Sequence, residues 1–125
     1  MSAFFELRIY QIFPGKMDEW LSFMEKTIMP FQIEQGMVIH GSFVMDSSDQ
    51  FALENGERVM NSKKKGNTYF WIRRFESEEE KVKLYKAVYE SKEWVDNIAP
   101  TVANLVDRNS ILVHNLSSTA LSIMK

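Results

Sequence analysis

The 125-residue chain contains no cysteine, which excludes a disulfide, a thiolate metal site and a cysteine nucleophile. Histidine is scarce too: His40 and His114 stand alone, far apart in the sequence, and no metal site is expected. Neither sign of charge dominates, since 15 basic and 17 acidic residues leave a formal net charge of -2. Such a chain offers no field for nucleic acid or for an acidic membrane surface. No apolar run approaches ~18 residues, and the start MSAFFELRIY has no basic region followed by a long apolar one. The expectation is a cytoplasmic protein with no membrane insertion and no nucleic-acid partner. A glycine-rich phosphate loop, a G-x-S-x-G elbow and an H-E-x-x-H helix are all missing, and no cofactor is expected.

What is present is an apolar share of 45% with 13% aromatics, enough for one packed core in a single domain over residues 1–125. From Phe4 to Ile12 the residues alternate, and Pro14-Gly15 stops the strand. Met17, Trp20, Leu21, Met24, Ile28 and Phe31 then fall at helical spacing, with Asp18 and Glu19 in the first turn, where negative charge suits the helix dipole. Pro30 should kink or break this helix, and Gly36 should end it. A second strand follows over Met37 to Met45. Residues 46–67 form a polar excursion with turn signals at Asn55-Gly56 and Gly66-Asn67. Thr68 to Phe75 is the third strand. Ser77 and Glu80 form a capping box, and Val82, Tyr85, Val88 and Tyr89 make the buried stripe of the helix it opens. After a second cap at Ser91, a stripe of Trp94, Ile98, Val102, Leu105 and Val106 bends near Pro100. The last strand is Ser110 to Leu116, and the tail SSTALSIMK shows no strong preference.

The order strand, helix, strand, strand, helix, strand is two β-α-β halves. It predicts the α+β class: a ferredoxin-like βαββαβ fold with a four-stranded antiparallel sheet and all helices on one face. The apolar positions Phe5, Leu7, Ile9, Phe70 and Ile72 are the expected helix side. That assignment leaves Glu6, Arg8, Tyr10, Ile12, Tyr69, Trp71, Arg73 and Phe75 on the open side, too apolar to face water. The expected cover is a second subunit, making a homodimeric α+β barrel with Arg73 pointing into its chamber and Arg74 reaching solvent from a strand end.

The runs 6-ELRIYQIFPGKMDEW-20, GMVIHGSF, 70-FWIRRFES-77 and YESKEWVDNIAPTVANLVDRNSILVHNL resemble the NIPSNAP family in order and spacing over about residues 4–116, apart from the 46–67 excursion. The opening motif is Glu6, Leu7, Arg8, Tyr10, Pro14 and Gly15. The resemblance implies a dimeric α+β barrel. The wider group with that fold includes cofactor-free monooxygenases and haem-degrading enzymes, so fold analogy does not choose an activity.

Arg8, Tyr10, Trp71 and Arg73 are the candidate ligand-binding residues: the arginines suit a carboxylate or enolate, and the rings suit stacking. A dimer-interface network without ligand explains the same residues. Tyr10, His40 and His114 are the candidate catalytic groups, as proton carriers of cofactor-independent oxygenase or isomerase-type chemistry. Trp20 and Trp94 read as core anchors, and Lys63, Lys64 and Lys65 as a solvated loop. The functional expectation is a small aromatic or anionic ligand in the barrel, with a non-enzymatic homodimeric interaction module as the alternative.

Overall fold

The computed structural model describes residues 3–45, 51–60 and 67–125, so the basic triplet Lys63 to Lys65 lies outside the described residues. Strand β1 (Phe4–Ile12) leads to helix α1 (Met17–Phe23), a π-helical turn (Met24–Ile28) and helix α2 (Met29–Glu34). Strand β2 (Val38–Val44) follows, then a hairpin of β3 (Phe51–Glu54) and β4 (Glu57–Met60), then β5 (Thr68–Phe75). Helix α3 (Glu78–Tyr89), a second π-helical turn (Trp94–Ile98) and α4 (Ala99–Leu105) precede the last strand, β6 (Val106–Leu116).

The four long strands form one antiparallel sheet in the order β2-β5-β1-β6, as two interleaved β-α-β halves require. The expected α+β, ferredoxin-like architecture is therefore present. The excursion holds the β3-β4 hairpin instead of a plain loop. Its turn is Asn55-Gly56, with φ of 49° and 79°, and these left-handed angles suit the twist of a two-residue hairpin. At α3 the Ser77 hydroxyl accepts from the Glu80 amide at 3.1 Å, and the Glu80 carboxylate reaches back to the Glu76 amide at 2.9 Å. Ser91 accepts from the Trp94 amide at 3.1 Å and caps the next helical segment.

Both π turns precede a proline at the second position of the following helix, Pro30 and Pro100. A proline has no N–H to give the carbonyl four residues back, so the helix there must lose an α-type bond, and the wider turn absorbs that loss. The sequence predicts a kink or break at Pro30 and a bend near Pro100, and the chain continues through both with one enlarged turn.

The face assignment is reversed. Glu6, Tyr10, Tyr69, Trp71, Arg73 and Phe75 lie buried beneath the helices, while Phe43, Leu112 and Leu116 stand exposed on the opposite face with the row of Phe5, Leu7 and Ile9. The misleading signal was charge. Glu6 and Arg73 are cross-strand neighbours, so the pair neutralises itself before the helices cover it. The large rings of Tyr10, Tyr69, Trp71 and Phe75 beside that pair offer more area to bury than the opposite row does, and the helices follow the larger gain. Arg74, expected to reach solvent from the strand end, lies on the open face and pairs there with Glu76. Val82 also differs from expectation: it is 59% exposed, because Lys81 turns inward to Glu6 and rotates the α3 stripe toward Leu84, Tyr85 and Val88. The tail after β6 curls back over Phe5, Ile72 and Leu116, and Arg74 Nε donates to the Lys125 carbonyl at 2.6 Å.

Candidate functional site

Two connected features lie between sheet and helices: a buried ion cluster and an aromatic cavity. Antiparallel register sets the first. Glu6 sits opposite Arg73 and Arg8 opposite Trp71, so alternate residues of β1 and β5 present acid, bases and ring to the helical layer. Glu6 is fully buried and each of its oxygens is doubly occupied. Oε1 accepts from Arg73 Nη2 at 2.6 Å and from Arg8 Nε at 2.9 Å. Oε2 meets Lys81 Nζ at 3.0 Å and accepts from the Tyr85 hydroxyl. Burial alone would raise the Glu6 pKa, but the charges of Arg73 and Arg8, with the Tyr85 hydrogen bond, overcome it and hold the carboxyl down at about 2.

Arg73 spends its other terminal nitrogen, Nη1, on the helices, donating to Gln32 Oε1 and to the Tyr89 hydroxyl, each at 2.8 Å. Its guanidinium lies 4.4 Å from the centroid of the Trp71 ring. Arg73 is thus a support for Trp71 and Glu6, behind the cavity rather than on its wall. Arg8 belongs to both features: it donates to Tyr85 at 2.8 Å and to Tyr10 at 3.4 Å, and it also lines the cavity.

The cavity is about 140 Å³. Its floor is the sheet, through Arg8, Tyr10 and Trp71, with Arg108 and Ile111 from β6. One wall is Trp20 with Met24 and Ile28, the two ends of the first π turn, and the other is Tyr89, Trp94, Ala99 and Val102 around the second. Widened turns therefore shape both walls, a position such turns often take at functional sites. Trp71 Nε1 donates to the Tyr10 hydroxyl at 3.0 Å. Burial pushes the Tyr10 phenol above its ordinary value and the Arg8 charge partly offsets it, so Tyr10 stays protonated at neutral pH. The Trp20 indole N–H is buried and has no hydrogen-bond partner among the described residues.

Of the four predicted ligand residues, Arg8, Tyr10 and Trp71 meet at the cavity and Arg73 supports them from behind. Of the predicted catalytic candidates only Tyr10 is there. His40 and His114 are exposed on the other face of the sheet, where His40 packs edge-on against Phe5 with ring centroids 5.1 Å apart. Sequence reasoning missed Trp20, Trp94 and Arg108 as cavity residues. The two tryptophans carry helical spacing that reads as core, and Trp20 is indeed core, 1% exposed, as well as wall. Among the described residues no group of three or more His, Asp or Glu could hold a metal ion, and no helix is long and apolar enough to cross a membrane.

The sequence matches no family model and no curated protein. Solved structures do match, and the fold is that of NIPSNAP family proteins. A NIPSNAP family protein from Agrobacterium tumefaciens aligns with a TM-score of 0.74 at 20% identity, over 97% of this chain and 90% of that one. A second protein of the family from the same organism, of unknown function, aligns with a TM-score of 0.77 at 14% identity, over 99% and 95% of the two chains. A candidate monooxygenase from Lactobacillus acidophilus aligns at 0.51 and 14% identity, over 92% of this chain but only 44% of its own.

Proposed function

We propose that this chain is a NIPSNAP-like homodimer that binds a small organic molecule in the cavity between its sheet and its helices. The observation that carries the reading is the partly open cavity of about 140 Å³ whose walls are aromatic and aliphatic and whose polar groups converge from three strands and a helix. A dry engineered cavity of similar size, about 150 Å³, holds one benzene ring, so the ligand is of single-ring size. No carboxylate and no histidine lines the space. Arg8 can stabilise negative charge on a bound ligand and Tyr10 can donate a proton to it, which favours binding or protonation of an anion over abstraction of a proton from carbon. Oxygenase or isomerase chemistry without a cofactor would therefore need a substrate that ionises readily.

The alternative, a non-enzymatic interaction module, draws on the exposed apolar row of Phe43, Leu112 and Leu116. Mass spectrometry of the freshly purified protein, first native and then denaturing, separates the two. A dimer with a reproducible extra mass of single-ring size, lost on denaturation, is the expected result. A dimer that stays empty and takes up no single-ring compound on soaking would leave only the interaction reading.

A further inference from the structure

We infer that the cavity ligand is an anion, and specifically a single-ring carboxylate recognised through Arg8 and Arg108; this rests on the binding reading just given. The polar groups on the walls are spent in one direction. The Tyr10 hydroxyl already accepts from Trp71 Nε1 at 3.0 Å and from Arg8 at 3.4 Å, and the Tyr89 hydroxyl accepts from Arg73 at 2.8 Å. Tyr10 therefore has only its proton left to give, while Tyr89 keeps its proton and one lone pair. Trp20 adds a buried indole N–H that has no partner among the described residues. An indole N–H can only donate and a guanidinium can only donate, so the cavity offers donors and asks its occupant for acceptors.

Charge points the same way. Both ionised residues on the wall are arginines. Arg8 is balanced by Glu6, but that single carboxylate is shared with Arg73 and Lys81, so the cluster behind the wall carries an excess of positive charge. Arg108 is exposed on β6 at the cavity and forms no ion pair among those found in the described residues. A carboxylate supplies two acceptor oxygens and one negative charge, and its planar geometry suits a guanidinium fork. The ring that bears it fits the aromatic walls. The volume limits that ring to one.

The test is calorimetric titration of the full chain with benzoate, benzamide and toluene, three probes of nearly one size that differ in charge and hydrogen bonding. Benzoate should bind once per chain, and benzamide about tenfold more weakly or worse, since it keeps the ring but loses the charge-assisted bonds. Arg108→Gln, a change at an exposed position that leaves the buried network intact, should bring benzoate down to the level of benzamide. Equal binding of benzoate and benzamide to the unaltered protein would overturn anion recognition while leaving the ring cavity standing. Undiminished preference for benzoate in Arg108→Gln would overturn the role of Arg108. Binding of none of the three probes would remove the cavity reading itself, and the anion inference with it.

Discussion

Glu6 is one carboxylate facing Arg8, Arg73 and Lys81, and its removal would leave their charges unanswered in a low-dielectric space. Breaking a buried ion pair from one side typically costs about 3–5 kcal/mol, because the stranded charge cannot recover its hydration. Glu6→Gln should lose stability of that order in urea denaturation, whereas Glu76→Gln, which breaks only the pairing with Arg74 at the exposed strand end, should change it by no more than about 1 kcal/mol. The same carboxylate sets an acid limit. Its folded pKa of about 2 lies below the ordinary 4.5, so the stabilisation is complete above pH 4.5 and is lost as pH falls toward 2. Over that window this amounts to about 3 kcal/mol. The stability of the unaltered protein should therefore decline through that window by more than that of Glu6→Gln, measured as urea midpoints at successive pH values.

At the scale of the elements, the β3-β4 hairpin is held by a turn that only certain residues tolerate. Gly56 has φ of 79°, so Gly56→Ala introduces backbone strain of about 1 kcal/mol with no neighbour within 4 Å of the new methyl. Amide exchange across 51–60 should speed up severalfold while exchange in β1 and β5 stays unchanged. How far such elements are legible in sequence depends on which signal each one carries. β1 is bounded by Pro14-Gly15 and α3 by Ser77 with Glu80, and both begin or end where those residues say. Alternation in β1 and β5 likewise separates the two faces correctly. It does not say which face the helices choose, and the choice turned on Glu6 and Arg73 finding each other across the strands, a pairing that needs the register. Arg108 escaped notice for a related reason, because the sequence places the start of β6 four residues late, at Ser110 instead of Val106.

For the whole molecule the open sheet face is an apolar surface that the helices do not cover. Phe43 is 54% exposed and Leu112 is 54% exposed on the two edge strands that flank β5 and β1. Under the homodimer proposal the double variant Phe43→Asp, Leu112→Asp should sediment as a monomer while its tryptophan emission stays native, since all three tryptophans lie among buried or half-buried residues on the helix side. An unaltered sedimentation coefficient would mean that copies meet elsewhere or not at all. The helix side has a different economy. Each half of the chain carries one enlarged turn, Met24–Ile28 and Trp94–Ile98, followed at the same interval by Pro30 and Pro100. An α-helix with one such turn contains a residue more than its span requires. The chamber's width is in this sense written in chain length as well as in side-chain volume: excising one residue from either turn would return it to α-helical winding and flatten that wall, and the untouched half would serve as its own ruler.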